Sequence, residues 1–408
     1  MGKLSLYLVL GFSLLYMIMG NNSNKMATQS IENMADYNAK TVAHNLAVSA
    51  ANLACNEIFL DDTWDTGISK TDFLGGEIEG SITILDKVRN LRKLTTIGTY
   101  GGVTSQVDVI FQPSSFSKFA YYSSSEGGTI WWTGSDTVWG PFHTQDYMRV
   151  KNHPVFFGKA TTKRDLVYYT NKKTDEPRFF GGFEKGVDLP LPTNGLDPMK
   201  ASAKTDGIYF SGHDTVYVTF KEDSIKYRYS YSGKDSTKYL PSSAPGGVIF
   251  VDNAVLRLKG VVKGQYSIAC GGKSIGKGTI YLDDDIVYKT DPMKDPNSTD
   301  LLGIVAKNDV FITDNTANTS DINIQASVYC ESGGFGAQNY NTRSINGNIN
   351  LVGGIIQYVR KAVGTFDSKT GKINHGFAKR YRYDERFMLI SPPMFPGTGD
   401  LEIVSWHE

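Results

Sequence analysis

Cysteine is scarce in this sequence, with only three among 408 residues. Cys55, Cys270 and Cys330 lack metal-ligand spacing, and their odd number argues against a disulfide framework. We expect Cys270 and Cys330 to be small buried side chains, with pairing across neighbouring strands as the alternative.

Neither sign of charge is in excess, because 42 basic residues balance 42 acidic ones. Nothing in this balance suggests a nucleic-acid partner. The sequence also lacks a phosphate-cradling glycine loop, a serine nucleophile elbow and a metal-ligand histidine pair. We therefore expect no cofactor and no bound metal.

Proline is missing from the chain before Pro113, and charge is missing from Leu4 to Gly20. That apolar stretch is short for a spanning helix and long for a cleaved signal peptide. No small-residue cleavage signature follows it, so an uncleaved membrane anchor is expected, with the N-terminus in the cytoplasm and the bulk of the chain outside. The predicted anchor side chains are Leu4, Leu6, Leu8, Leu10, Phe12, Leu14, Leu15 and Ile18.

An apolar stripe at helical spacing continues beyond this span, which predicts one near-continuous helix from Leu4 to Leu60, about 85 Å long. The alternative is two helices with a break at Asn21–Asn24. The stripe consists of Ile31, Ala35, Ala39, Val42, Leu46, Ala50 and Leu53.

Alternating strands follow the helix and predict a small antiparallel sheet, with Gly101-Gly102 as a hairpin turn. We divide the chain into a transmembrane anchor (1–24), an extracytoplasmic helix (25–60) and this sheet (61–112). The rest of the chain is divided into three parts. They are a β-rich region with the first coils and a hairpin excursion (113–245), a β-helix core (246–366) and a C-terminal cap (367–408).

The core region contains short β-branched runs that recur every roughly 20–25 residues, a spacing typical of solenoids. We predict a right-handed parallel β-helix, with an antiparallel sandwich or barrel as the alternative. The fold class is therefore mainly β with a long N-terminal helix. The expected inward residues are Val248, Phe250, Ala254, Leu256, Leu258, Ile280, Leu282, Ile286, Tyr288, Ile304, Ala306, Val310, Ile312, Ile322, Ile324, Ala326, Val328, Ile349, Leu351, Ile355 and Gln357.

The order of these parts resembles the bacterial type IV pilin-like proteins, of the minor-pilin kind with large C-terminal domains. The helix segment TVAHNLAVSAANLACNEI and the strands ending in IGTYGGVTSQVDV carry this resemblance. Later segments resemble an uncharacterised domain family attached to such helices. They are VWGPFHTQDYMRVKNHPVFFGKATT (138–162), LLGIVAKNDVFI (301–312), NINLVGGIIQYVRKAVGTF (348–366) and GFAKRYRYDERF (376–387).

The resemblance implies anchoring in the cytoplasmic membrane, pilin-like subunits or surface components as partners, and a role in a pilus-like or secretion-related assembly or as an adhesin. Prepilins usually have a longer basic leader and a Glu five residues into the mature helix. Here only Met1-Gly2-Lys3 precedes the span, and the first acidic residue is Glu32. These features are equally compatible with a permanent membrane anchor that has the pilin shape and does not enter a pilus.

Asp283, Asp284 and Asp285 are the most chemically suggestive group, because β-helix enzymes place carboxylates on one exposed sheet. Only Asp283 and Asp285 can share a face of a strand, with Arg360 (or its neighbour Lys361) as a possible basic partner. A turn with solvated acids explains the group more simply. We expect no enzyme, with a polysaccharide lyase or hydrolase as the alternative.

Trp131, Trp132 and Trp139 offer aromatic faces for a sugar ring, which makes a glycan-binding module a further alternative. Core packing is the simpler explanation for large aromatic side chains. We expect His143 to be structural and to bond a neighbouring turn.

Overall fold

The computed structural model describes residues 2–86, 90–128, 130–134, 136–192, 195–367 and 373–408. The chain forms two compact units. The first comprises Met1–Gln112 and Leu401–Glu408, and the second comprises Pro113–Asp400.

The fold is mainly β, with one long helix at its start. The α-helices of the described residues are α1 (Gly2–Leu60), α2 (Lys172–Asp175), α3 (Asp197–Asp206) and α4 (Leu240–Ser243). The first strands are β1 (Ile68–Phe73), β2 (Gly76–Asp86), β3 (Leu91–Tyr100), β4 (Val103–Ser115), β5 (Tyr121–Ser125), β6 (Thr137–Val138), β7 (Phe142–Thr144), β8 (Met148–Val150), β9 (Val155–Phe156), β10 (Ala160–Thr162), β11 (Leu166–Tyr168), β12 (Arg178–Phe179), β13 (Phe183–Lys185) and β14 (Ile208–Phe210). The remaining strands are β15 (Thr215–Glu222), β16 (Ser224–Arg228), β17 (Ser236–Tyr239), β18 (Val248–Asp252), β19 (Val255–Val262), β20 (Gln265–Gly271), β21 (Thr279–Tyr288), β22 (Leu301–Ala306), β23 (Val310–Ile312), β24 (Ile322–Cys330), β25 (Phe335–Ala337), β26 (Ile345–Val359), β27 (Gly364–Phe366), β28 (Ile373–Arg382) and β29 (Gly397–His407).

Helix α1 runs without a break through Asn21–Asn24, as the proline-free sequence predicts. It ends where the Asp61 carboxylate accepts hydrogen bonds from the backbone N–H and hydroxyl of Thr63, a local turn that competes with the helix. Residues 2–38 are all exposed in the isolated chain. The buried side chains come later and are Ala43, Leu46, Ala47, Ala50, Ala51, Ala54 and Ile58.

This buried face differs from the predicted stripe, since Ile31 and Leu53 are exposed and only Leu46 and Ala50 are shared. Small side chains dominate because α1 packs closely on β3. A Cβ atom at Gly98 would lie 2.3 Å from the Ala43 carbonyl oxygen, so only glycine fits there.

The antiparallel sheet of the first unit has the order β1-β2-β3-β4-β29. Gly101 and Gly102 form the predicted hairpin turn between β3 and β4, with φ angles of 56° and 80°. The sequence assigned residues 401–408 to a C-terminal cap, whereas β29 lies in this sheet. The β-branched residues of β29 are Thr398, Ile403 and Val404, too few to distinguish a strand from a covering loop.

The second unit is a large, mostly parallel sheet in which β14, β18, β20, β22, β24, β26, β5, β7, β10 and β13 pair in that order. One register column crosses all of them and forms the interior. It consists of Ile208, Ile249, Ile268, Ile304, Val328, Ile355, Tyr121, Phe142, Ala160 and Phe183.

A second parallel ladder joins β15, β19, β21, β23 and β25, and its column is also buried. That column consists of Val216, Leu256, Ile280, Val310 and Phe335. The hairpin predicted within residues 113–245 is present, because β15 and β16 pair antiparallel with Phe220 opposite Ile225.

Most of the predicted inward residues lie in the main hydrophobic cluster, including Ile324 and Ile355. Val248, Phe250 and Gln357 are the exceptions, and Gln357 is a buried polar residue. Val248 and Phe250 lie elsewhere. They pack in a separate cluster with Met199 of α3, while Ile249 and Val251 face the main core. Strand β18 is buried on both faces, so alternation of apolar and polar residues cannot show which of its side chains face the main core.

Candidate functional site

The N-terminal part of α1 presents apolar side chains to its surroundings on every side. By length and composition, α1 can cross a membrane. Each predicted anchor residue is 54–78% exposed in the isolated chain: Leu4, Leu6, Leu8, Leu10, Phe12, Leu14, Leu15 and Ile18.

Asp283 forms a two-point ion pair with Arg257 of the neighbouring strand. Arg257 Nε donates to Asp283 Oδ2 at 2.9 Å, and Nη2 donates to Oδ1 at 2.6 Å. Thr313 Oγ1 also donates to Oδ1, at 2.7 Å. These contacts engage both carboxylate oxygens in holding adjacent strands together.

Asp285 accepts hydrogen bonds from the backbone N–H and the side-chain amide of Asn323, at 2.8 and 2.9 Å. Asp284 lies 3.8 Å from Lys259 Nζ as a half-exposed ion pair. Asp283 and Asp284 therefore pair with residues of β19, whereas Asp285 bonds to β24.

The three acids lie in a bulge within β21, where the sequence predicted a turn between two strands. In the pairing of β19 with β21, Leu258 stands opposite Leu282 and Gly260 opposite Ile286. The single residue between them in β19, Lys259, therefore faces all three acids. A bulge of this kind leaves residues outside the ladder pairing, which resembles a turn in sequence.

Arg360 is in the interior of the second unit. Its Nη1 donates to Glu126 Oε2 at 3.0 Å, and its guanidinium lies 4.0 Å from the ring centre of Trp132. The described contacts thus give Arg360 the partner Glu126 and give Asp283 the partner Arg257, and do not bring the two candidates together. Lys361 pairs with Asp309 at 2.9 Å.

The three candidate tryptophans lie in different surroundings. Trp132 is buried and donates from Nε1 to Glu126 Oε2 at 3.0 Å. Trp131 meets Tyr169 edge to face. Trp139 is 51% exposed and stacks on Phe157 with ring centres 3.9 Å apart. The three rings therefore do not form one platform.

The Trp139 stack belongs to a repeat that the sequence analysis missed. An aromatic-glycine pair recurs directly after the paired strands β6, β9 and β12: Trp139-Gly140, Phe157-Gly158 and Phe180-Gly181. The rings stack on one another, and a Cβ atom at Gly158 would lie 2.1 Å from the Gly140 carbonyl. The recurrence of aromatic-Gly pairs was the signal that could have revealed this stack.

His143 bonds a neighbouring strand, where the sequence predicted a bond to a neighbouring turn. His143 Nδ1 lies 2.7 Å from Thr161 Oγ1, and the imidazole stacks on Tyr122. Burial lowers the pKa of His143 to about 4, so the ring is neutral near pH 7.

Cys270 and Cys330 are both buried free thiols. Ala306 stands between them in the register, so they are two strand spacings apart, about 9.5 Å. A disulfide requires Cα atoms within about 7 Å, so the alternative of pairing is wrong. Burial raises the pKa of the Cys270 thiol to about 12.

A cavity of about 420 Å³ lies in the second unit, where no sequence pattern predicted one. Six lining residues directly follow paired positions of adjacent parallel strands, and we call them the polar row: Lys307, Glu331, Tyr358, Ser124, Gln145 and Lys163. The other lining residues are Pro190, Leu191, Pro192 and Ser332.

Glu331 is the least exposed charged group of the polar row, with a side chain only 3% exposed. Lys307 Nζ donates to its Oε1 at 2.7 Å, whereas Oε2 makes no hydrogen bond within the described residues. Burial raises the pKa of Glu331, and Lys307 and the nearby backbone N–H of Leu196 offset part of that rise. In the described ranges, no group of three or more His, Cys, Asp or Glu side chains is arranged to hold a metal ion.

No family model matches the sequence, and no curated protein matches it. Among solved structures, the chain is similar to the competence-associated pilin ComZ from Thermus thermophilus, with 12% sequence identity and a TM-score of 0.37. The match covers 90% of this chain and 96% of that chain. A TM-score of this size does not establish a shared fold, and the role in that name belongs to ComZ.

Proposed function

We propose that this protein is a pilin-like, membrane-anchored structural or interaction protein whose bulk lies outside the cytoplasm. The observation that carries the proposal is the division of α1 into two parts. Its first part exposes apolar side chains all round, and its later part buries an alanine-rich face on an antiparallel sheet. One continuous helix would thus hold the folded chain at the membrane.

We further propose that the large, mostly parallel sheet is wound as a right-handed parallel β-helix. Two parallel ladders with buried register columns support this, because strands related by coil stacking pair in parallel and bury one continuous core. A β-helix of this kind would serve as a rigid displayed domain in a pilus-like or secretion-related assembly, or in an adhesin.

The contacts of the candidate acids favour a structural role over an enzymatic one. Asp283 and Asp285 bond to residues of their neighbouring strands, and Arg360 is paired in the interior. Pilin-like subunits or other surface components are the partners that this proposal requires.

Membrane anchoring is tested by intact mass and by carbonate extraction of native membranes. We expect a mass that retains the span and a protein that stays with the membrane. Loss of Met1-Gly2 alone would indicate prepilin-type processing, whereas loss of the whole span would contradict the anchor.

A matched pair of double variants makes the test specific. Leu10→Lys with Leu14→Lys should release the protein from membranes, because each lysine costs about 3 kcal/mol at the centre of a spanning helix. Met34→Lys with Tyr37→Lys changes two exposed apolar positions of the same helix outside the predicted span and should leave the protein membrane-bound. Equal behaviour of the two variants would contradict the proposal.

A further inference from the structure

The polar row has an ordered construction along the sheet. Ala306, Cys330, Gln357, Ser123, Thr144 and Thr162 form a continuous register column, and the polar row consists of the residue after each of them. Adjacent members are therefore about 4.8 Å apart, and the row extends about 24 Å. Repeating contacts at this spacing suit a linear ligand whose units are of similar length.

The charges along the polar row are already compensated by the protein. Lys307 pairs with Glu331 at 2.7 Å, and Lys163 pairs with Asp188 at 2.8 Å. An anionic ligand would meet the Glu331 carboxylate, and a cationic ligand would meet Lys307. The cavity therefore favours a ligand without net charge.

The cavity also needs a hydrogen-bond donor from its ligand. Glu331 Oε2 is buried, and no donor of the described residues reaches it with hydrogen-bond geometry, although the Leu196 N–H lies near the carboxylate. This state costs free energy until a donor arrives. Hydroxyl groups of Ser124 and Ser332 and the ammonium groups of the two lysines supply complementary donors and acceptors. A ligand with many hydroxyl groups can meet all of them.

The remaining walls are apolar and held in place. Tyr358 is 51% exposed, and Pro190, Leu191 and Pro192 line the cavity with it. Leu189, the residue before Pro190, is held in place because the Tyr122 hydroxyl donates to its carbonyl oxygen at 2.6 Å. An aromatic ring beside hydroxyl-binding groups suits a pyranose, which has an apolar face and a polar rim.

We propose that the polar row is a binding site for a neutral, linear oligosaccharide that lies across the strands. Tyr358 packs against a sugar face, and Glu331 Oε2 accepts a hydrogen bond from a sugar hydroxyl. This site is independent of the membrane anchor and of the exposed Trp139 stack.

The test uses the full chain in lipid nanodiscs, because a detergent with a sugar headgroup would compete for the site. The probes for calorimetric titration are cellotetraose, chitotetraose and maltotetraose, with tetragalacturonate and inorganic phosphate as charged comparisons. We expect at least one neutral tetrasaccharide to bind with a Kd below about 1 mM. We also expect it to bind more tightly than its monosaccharide.

Tyr358→Ala should weaken that binding at least tenfold, and Glu331→Gln should weaken it measurably without lowering the thermal midpoint. Tyr340→Ala is the matched control, since Tyr340 is 38% exposed and does not line the cavity. The proposal is overturned if no neutral tetrasaccharide binds, if Tyr358→Ala binds as well as wild type, or if a charged probe binds more tightly than all neutral ones.

Discussion

Arg360 donates to Glu126 at 3.0 Å, an ion pair that joins residues 234 positions apart in the sequence. The two side chains are 4% and 0% exposed. Glu126 also accepts from Tyr121 and Trp132, so both of its carboxylate oxygens are occupied. Desolvation of the carboxylate is therefore compensated by hydrogen bonds as well as by charge, whereas Arg360 Nη2 makes no hydrogen bond within the described residues.

Arg360→Met should lower the free energy of unfolding by about 3–5 kcal/mol, because it leaves a buried carboxylate without its cation. Urea unfolding of the full chain, followed by tryptophan fluorescence, measures this change. Lys361→Met is the control and should cost about 1 kcal/mol or less, since its pair with Asp309 is partly exposed. Equal losses in the two variants would refute the special role of the buried pair.

Ile324→Asp and Ile355→Asp should each lower the free energy of unfolding by at least about 3 kcal/mol, because each places an unpaired charge in the core. Ile345→Asp makes the same chemical change at a position that is 55% exposed and should have little effect. Thermal unfolding compares the three variants. An unchanged midpoint for both core variants would show that these residues do not face the interior.

Glu331 should give the protein an identifiable pH dependence. Because burial raises its folded pKa above the unfolded value of about 4.3, protonated Glu331 favours the folded state. That contribution is complete below the unfolded pKa and is lost as pH rises through the folded pKa. The stability of wild type relative to Glu331→Gln should therefore fall with rising pH across this window and then level off.

Glu222→Gln is the matched control for this titration. Lys289 lowers the pKa of Glu222, so its contribution is present above the unfolded pKa and lost as pH falls. Its difference curve should slope in the opposite direction to that of Glu331. If the two stability differences changed with pH in the same direction, the raised pKa of Glu331 would be contradicted.

The full chain should release no product from pectin, alginate or other uronate polymers, with or without calcium. A hydrolase needs two carboxyl groups about 5–9.5 Å apart on either side of the bond, whereas Asp283 and Asp285 are engaged with neighbouring strands. Reducing-end and unsaturated-product assays measure turnover. Activity that disappears in the Asp283→Asn, Asp285→Asn double variant would establish an enzyme.

The sequence predicted the helix and most core strands because their patterns are local. The absence of proline before Pro113 and the alternating isoleucines near Ile324 each depend on a single element. The buried face of α1 was misassigned because the close approach at Gly98 selects alanine over larger apolar residues. Helical periodicity alone contains no information about the partner surface.

The cavity could not be predicted because its residues come from distant parts of the sequence. Strand β26 pairs with β5, which brings Tyr358 beside Ser124. The contacts of Glu126 with Arg360 and of Asp283 with Arg257 likewise depend on which strands pair. Strand order follows from the packing of the whole unit, and a list of residue types does not contain it.

The construction of the polar row also affects how its length can change during evolution. In the proposed β-helix, each strand pairs mainly with its two neighbours, so a duplicated coil would be accommodated as a complete module. Such a duplication would add one side chain to the row, and a deletion would remove one. The length of the polar row can therefore change by one residue at a time, while the first unit stays the same.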